Sequence, residues 1–202
     1  MDLYKEVASC NTMYDLATVV RNAPQDGIFL EFGVSMGSSL ECIAKNTQQP
    51  IYGFDWWEGL PEDLCGEKDD GGYFIHDPVG SFKGEPAIPL PDHVRLVDGL
   101  FELSLPKWLN ENTIGPISFV HIDCDLYSST KTVFDNLKPY LKPGVILAFD
   151  EFMDYGTIDV WPHHEYKAFN EFLDDSTTLT CKCIGQRPPQ VAFELISKKG
   201  SE

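Results

Sequence analysis

Short apolar runs alternate with amphipathic stretches along most of the chain. The runs predicted to be strands are GIFLEFG, PIYGFD, HVRLVDG, ISFVHIDCD and GVILAFDE. The intervening stretches predicted to be helices are SMGSSLECIAKN, ELSLPKWLNE and SSTKTVFDNLKPYL. Because apolar strands that alternate with helices are typical of a parallel sheet covered on both faces, the pattern predicts a Rossmann-like α/β domain.

The two ends of the chain extend this pattern. Apolar side chains at mostly helical spacing predict a leading helix within residues 1–22, and HHEYKAFNEFLD predicts another helix over 163–174. The last two apolar runs, LTCKCIG and VAFELIS, are joined by the turn-forming QRPPQ. They predict an antiparallel hairpin at the sheet edge.

One long segment, residues 56–92, has no clear periodicity and is rich in Gly, Pro and acidic residues. A loop of this length in a compact domain is usually an active-site lid or a disordered insertion. We favour a lid, because the segment leaves the carboxyl end of a strand, where open α/β sheets bind their ligands.

The length of 202 residues and the 43% hydrophobic content fit a single domain over 1–202. No run reaches the roughly 20 apolar residues of a membrane helix, and MDLYKEVASC lacks the features of a secretory signal, so we expect a cytoplasmic protein. The six cysteines form no CxxC pair and are expected to be reduced thiols.

A formal net charge of −17 opposes binding to a polyphosphate backbone, and no Lys/Arg cluster offsets it. The charge therefore predicts a small-molecule substrate and no nucleic-acid partner. A well-solvated surface is explanation enough for the acidity itself.

The turn after the first strand predicts a cofactor site. Gly33 and Gly37 lack side chains that would keep a ligand from the backbone, and Ser38 and Ser39 open the following helix. The spacing is not GxGxxG, and the acid Glu31 before the first glycine suits a cationic ligand better than a pyrophosphate. S-adenosylmethionine, which carries an ammonium and a sulfonium, is the expected cofactor.

Two further acids end strands on the same side. Asp55 stands about twenty residues beyond the glycine turn, where an acid commonly binds ribose hydroxyls, although a helix cap or a solvated loop acid is the alternative. Asp98, at the end of the next strand, is placed to meet the adenine amino group or simply to face solvent.

Four more carboxylates follow two predicted neighbouring strands. Asp123 and Asp125 end one strand, and Asp150 and Glu151 end the next, so a parallel sheet brings all four to one edge. Clustered acids repel one another unless a cation or protons neutralise them. Oxygen ligands at this charge density suit Mg²⁺.

Together, FLEFGVSMGSSL, YGFDWWEGLPED, HIDCDLYSSTKTVFDNLKPYLKPG and AFDEF resemble the macrocin O-methyltransferase (TylF-like) family of class I methyltransferases. The resemblance runs from about residue 13 to 175, and HIDxDLYxST is its most specific part. It implies a seven-stranded sheet, magnesium-dependent methyl transfer to a hydroxyl oxygen, metal ligation by Asp123, Asp150 and Glu151, and a possible homodimer. Glu151 stands where the family usually has Asp.

As a hypothesis, the substrate hydroxyl attacks the methyl group in line while Asp123 accepts its proton or orients it, and a metal ion makes the hydroxyl more acidic. His163 and His164 follow the acid pair and are alternative bases, or else ordinary residues at a helix start. His121, inside a strand, is expected to be a core histidine.

Aromatic residues on loops after strands are candidates to stack on a ring substrate, namely Trp56, Trp57, Tyr73, Phe74, Phe152, Tyr155 and Trp161.

Two other functions stay open at this point. A Rossmann-type sheet also serves NAD-dependent oxidoreductases, although the third glycine of the phosphate fingerprint is missing. A scaffold that binds S-adenosylmethionine without turnover is the second alternative, although the acids at every expected position argue for an enzyme.

Overall fold

A computed structural model describes residues 2–67, 73–87, 89–153 and 163–198. Its helices are α1 (Leu3–Ala8), α2 (Leu16–Asn22), α3 (Ser38–Asn46), α4 (Phe101–Glu111), α5 (Tyr127–Leu137) and α6 (Glu165–Asp175). Its strands are β1 (Ile28–Phe32), β2 (Ile51–Asp55), β3 (Leu64–Glu67), β4 (Tyr73–Asp77), β5 (Val94–Asp98), β6 (Ile117–Ile122), β7 (Ile146–Phe149), β8 (Leu179–Arg187) and β9 (Gln190–Ser197).

The main sheet has seven strands in the order β5-β2-β1-β6-β7-β9-β8. The first five are mutually parallel, while β9 and β8 are antiparallel and form the C-terminal hairpin. This arrangement confirms the predicted α/β fold with its edge hairpin. The strand order reverses between β1 and β6, which is where open α/β sheets bind ligands.

Every residue of β1 and β6 is buried, because helices cover both faces of the sheet at its centre. One face carries an aromatic cluster that fixes α5 and α6 in place. The ring centroids of Phe134 and Phe172 are 4.8 Å apart, and those of Phe149 and Phe169 are 5.0 Å apart. Such pairs stabilise a core beyond their buried area, so the start of α6 is held firmly beside the end of β6.

The predicted leading helix is wrong as a single element, since α1 and α2 are separate. Ser9 ends α1, and Asp15 caps α2 by accepting a 2.9 Å hydrogen bond from the Thr18 amide. The residues between them run beside β8 instead, where the Gln186 amide donates to the carbonyl of Thr12 at 2.9 Å.

The segment 56–92 holds a two-stranded antiparallel sheet, β3–β4, that its lack of periodicity did not predict. Leu60 and Leu64 of this segment are buried with Leu126, which directly follows the acids at the end of β6. The segment is thereby packed against the loop that carries Asp123 and Asp125. None of the helices in the described parts of the chain has the length and apolar character needed to span a bilayer.

Candidate functional site

One cavity lies at the carboxyl ends of the parallel strands. Its space of about 760 Å³ includes the part at its mouth that is open to solvent. The cavity is lined by the glycine turn after β1, the end of β2, the loops after β5, β6 and β7, and residues of 56–82. The glycine turn and the acid cluster therefore open into the same space.

The glycine turn touches the end of β6. Gly33 has a φ of +89°, and a Cβ added there would lie 1.6 Å from the carbonyl oxygen of Asp123. Only glycine permits both the left-handed backbone and this close approach. Gly37 also has a left-handed backbone, with a φ of +87°, and precedes α3, whose first turn includes Ser38 and Ser39.

Asp55 holds the glycine turn in place. Its Oδ2 accepts hydrogen bonds from the amides of Val34 at 2.8 Å and Ser35 at 2.6 Å. Burial raises the pKa of the Asp55 carboxyl, while these amides oppose that rise. Asp55 also lines the cavity, so its predicted ribose contact stays a prediction. Asp98 pairs with Asp55 in register and is exposed, and its adenine contact stays a prediction as well.

Glu31 is fully buried in β1 and lies beside His121 of β6, with Oε1 3.0 Å from Nδ1 of the imidazole. Burial alone lowers the pKa of His121, but the hydrogen bond and the charge of Glu31 outweigh it and raise that pKa to about 8. His121 is thus a core histidine with an acidic partner. Glu31 has one oxygen engaged there, and its predicted role toward the cofactor stays a prediction.

Three carboxylates converge at the end of β6 and β7. Asp123, Asp150 and Glu151 each offer an oxygen, and these oxygens all lie within 4.8 Å of one another. Gln190 orients this group by donating a 2.6 Å hydrogen bond from Nε2 to Oδ1 of Asp150. Burial raises the pKa of Asp123 well above its usual value; His121 opposes this, and Asp150 adds to it.

The chemistry of this donor set fits a hard divalent cation. Carboxylate oxygens are the ligands that Mg²⁺ prefers, and one buried oxygen of Glu151 has no hydrogen-bond partner. Burial and the charge of Asp123 raise the pKa of Glu151 well above its usual range. A bound cation would remove this repulsion, so the predicted ligands are in a position to hold one.

Neighbouring Asp125 adds to the negative charge and has a left-handed backbone with a φ of 58°. Burial and the charge of Asp77 raise its pKa to about 7. Ser35 and Phe82 are the other non-glycine residues with positive φ in the described chain, and both line the same cavity. Strained backbone of this kind concentrates at functional sites.

The two candidate histidine bases, His163 and His164, lie outside the cavity lining, unlike the acids Asp123 and Glu151. His164 lies 2.8 Å from the Cys65 carbonyl through Nε2, and its Nδ1 accepts from the Tyr127 amide at 3.3 Å. Burial lowers its pKa. These contacts tie the β3–β4 hairpin to α5, and neither His163 nor His164 lines the cavity. A role as base stays a prediction for both.

The candidate aromatic residues do not share one location. Trp56 lines the cavity, as do Phe82 and Phe101, which the sequence did not single out. Phe152 is fully buried in the core, so the expectation that it faces a substrate is wrong. The backbones of Tyr73 and Phe74 lie in β4, while Tyr155 and Trp161 lie outside the described residues.

Sequence reasoning also missed Glu165 in the first turn of α6. It is fully buried, and its Oε1 accepts a 3.3 Å hydrogen bond from the Cys124 amide. Burial and the charges of Asp125 and Asp123 raise its pKa well above its usual range. An acid in a first helical turn usually faces solvent, so nothing in the pattern separated this residue from a surface acid.

We expect the metal-free protein to be about 3 kcal/mol more stable to urea at pH 6 than at pH 8.5. The folded state binds protons more tightly than the unfolded chain at Asp125, with a pKa of about 7, and at His121, with a pKa of about 8. Both contributions are therefore lost as pH rises through these values. Urea unfolding in chelator at the two pH values measures the difference, and equal stability would contradict the assigned acid cluster.

Comparison with protein families gives a match over more than half of the chain. The model of a family described as a methyltransferase domain matches residues 30–152. A relative from Streptomyces olivaceus, named 8-demethyl-8-(2,3-dimethoxy-alpha-L-rhamnosyl)-tetracenomycin-C 4'-O-methyltransferase, is 26% identical. That match covers 70% of this chain and 59% of the relative, so the chain spans less than two thirds of that protein.

Solved structures show the same fold. The calicheamicin methyltransferase CalS11 is 25% identical, with a TM-score of 0.67 over 96% of this chain and 78% of that chain. The O-methyltransferase NovP is 19% identical, with a TM-score of 0.63 over 89% of this chain and 77% of that chain. At this identity the likeness to NovP concerns the fold alone.

Proposed function

The chain belongs to the methyltransferase domain family, and from this premise we propose that it is an S-adenosylmethionine-dependent O-methyltransferase acting on a small sugar-containing metabolite. One observation carries the proposal. The turn that would receive the methyl donor and the acids that would receive the hydroxyl line one cavity, and Gly33 brings them into contact. A methyl group and an acceptor oxygen bound there would be neighbours.

The cofactor would bind along the glycine turn, at Gly33, Gly37, Ser38 and Ser39. Glu31, Asp55 and Asp98 complete the proposed cofactor residues. Asp55 fixes the turn through two amides, which preorganises the backbone that a ligand would meet. The acid-rich cavity favours the cationic S-adenosylmethionine over the pyrophosphate of NAD.

Asp123, Asp150 and Glu151 would hold Mg²⁺. When bound, the ion makes a neighbouring hydroxyl more acidic. Asp123 orients the substrate hydroxyl and accepts its proton, since this carboxyl lines the cavity directly beside the glycine turn.

The substrate class rests on the relatives. The names of the Streptomyces olivaceus relative and of CalS11 place them in the methylation of glycosylated natural products or their sugars. Trp56 and Phe82 line the cavity of this chain and offer apolar faces to a sugar ring.

We also propose that the chain belongs to the macrocin-type branch of the family, forms a homodimer and is located in the cytoplasm. The proposal includes the exclusion of nucleic acid, which the net charge of −17 supports.

Calorimetric titration with S-adenosylhomocysteine, in chelator and then with Mg²⁺, tests the proposal. We expect saturable cofactor binding, and a separate heat for Mg²⁺ that disappears in Asp150→Ala. The physical reason is that Asp150 supplies one of the three convergent carboxylates. Asp174→Ala, which changes an exposed acid on α6, is the matched control and should keep both heats.

Each other outcome of this titration points elsewhere. Cofactor binding without any response to Mg²⁺ would keep the methyltransferase and remove the metal. Binding of NAD with no affinity for S-adenosylhomocysteine would favour an oxidoreductase. If the protein binds the cofactor but a separate assay with S-adenosylmethionine shows no methyl transfer to any glycoside acceptor, the scaffold would be favoured.

A further inference from the structure

Glu165 lies behind the acid cluster rather than in the cavity. Its side chain is fully buried, and the cavity lining does not include it. One carboxylate oxygen accepts the hydrogen bond from the Cys124 amide, and the other has no hydrogen-bond partner. Burying an acid in this way costs free energy, so a compensating function is expected of it.

The residue that Glu165 contacts stands between two acids of the site. Cys124 separates Asp123 from Asp125. Through its amide, which donates to Glu165, the loop after β6 is attached to α6. The same loop is fixed from other sides. The Cys124 thiol lies 3.4 Å from the Thr130 hydroxyl, and the Asp123 amide donates to the Phe32 carbonyl at 2.9 Å.

The helix that carries Glu165 is rigidly placed. The ring of Phe169, one turn further along α6, stacks 5.5 Å from Phe134 of α5 and lies 5.0 Å from Phe149 of β7. These contacts hold α6 against α5 and against β7, the strand that pairs with β6. From the start of α6, a side chain of the length of glutamate reaches the Cys124 amide.

We propose that Glu165 is a positioning residue that sets the geometry of the metal ligands through its hydrogen bond to the Cys124 amide. This inference rests on the proposed metal site. Some residues do not touch the metal but orient its ligands by hydrogen bonds. Removal of such a residue typically weakens metal affinity by about 10–100-fold. Glu165 acts on Asp123 through the one peptide unit that joins Asp123 to Cys124. Loss of the Glu165 side chain would therefore shift the Asp123 carboxylate without removing this ligand.

Two substitutions separate the hydrogen bond from the charge. Glu165→Gln keeps the reach and the accepting oxygen but loses the charge, whereas Glu165→Asp keeps the charge and loses the reach. We expect Glu165→Asp to bind Mg²⁺ about tenfold more weakly or worse, and Glu165→Gln to stay closer to wild type. Glu102→Gln, an exposed acid in the first turn of the equally long α4, is the matched control.

Calorimetric titration of each folded variant with Mg²⁺ is the measurement, with S-adenosylhomocysteine affinity in chelator as the second readout. The cofactor affinity should be the same in all four proteins, because a general loss of structure would lower it too. Wild-type Mg²⁺ affinity in Glu165→Asp, or weaker binding in Glu165→Gln than in Glu165→Asp, would overturn the inference alone. A wild-type protein that binds cofactor but no Mg²⁺ would overturn the metal site together with it.

Discussion

Asp123→Asn is expected to slow methyl transfer by at least about 10²-fold, the lower end of the range for loss of a positioned general base, while the protein stays folded. The carboxyl lines the cavity next to the glycine turn and contributes one of three convergent oxygens. An amide of the same shape cannot take up the proton of the attacking hydroxyl. The free energy of unfolding should rise in chelator above pH 8, because the variant removes a buried acid whose pKa is strongly raised.

The rate is measured as S-adenosylhomocysteine formed with a glycoside acceptor at saturating cofactor, and stability by urea unfolding. Asp26→Asn is the control, since Asp26 is an exposed acid ahead of β1, at the opposite end of the sheet. It should leave both quantities unchanged. Methyl transfer at the wild-type rate in a folded Asp123→Asn protein would remove Asp123 from both the catalytic and the metal assignments.

Gly33→Ala is expected to lower the free energy of unfolding by about 2–5 kcal/mol, combining a left-handed backbone for alanine with overpacking. The φ of Gly33 is +89°, and the new Cβ would lie 1.6 Å from the carbonyl oxygen of Asp123. That oxygen belongs to the backbone, so the clash is relieved only if the ends of β1 and β6 separate. Affinity for S-adenosylhomocysteine should fall with it, because the turn and the acid cluster would no longer meet.

Gly115→Ala provides the matched control for this substitution. A Cβ at Gly115 would meet no atom within 4 Å, so the same chemical change there should alter stability by less than about 1 kcal/mol. Urea unfolding of both variants gives the comparison directly. Equal stability of the two variants would show that β1 and β6 can separate at little cost, and the contact at Gly33 would then not define the site.

The centre of the main sheet was predictable because β1, β6 and β7 are buried on both faces and so appear as continuous apolar runs. The glycine turn and the acids at strand ends followed from the same reasoning, since parallel strands bring their carboxyl ends to one edge. The break between α1 and α2 was not predictable from periodicity. The apolar spacing continues through it, and the cause is pairing with β8, which is distant in sequence.

The finer features of the site depend on contacts that no local pattern encodes. Glu165 has the same sequence context as a solvent-facing acid in a first helical turn, and only the packing of α6 buries it. The β3–β4 hairpin has strands of only four and five residues, which are too short to show a clear alternating pattern within a segment rich in Gly, Pro and acids. Asp55 was correctly placed at the end of β2, but its two bonds to the turn follow from three-dimensional proximity.

The buried contact of Leu60 and Leu64 with Leu126 links the segment 56–92, part of which lines the cavity, to the loop of the acid cluster. Replacing this segment alone with that of a relative would change Leu60 and Leu64 but not Leu126. Here an exchange that left out Leu126 would strip that loop of its apolar partners. The segment 56–92 and the loop after β6 therefore pack as one unit, and a chimera that keeps this contact has to exchange both.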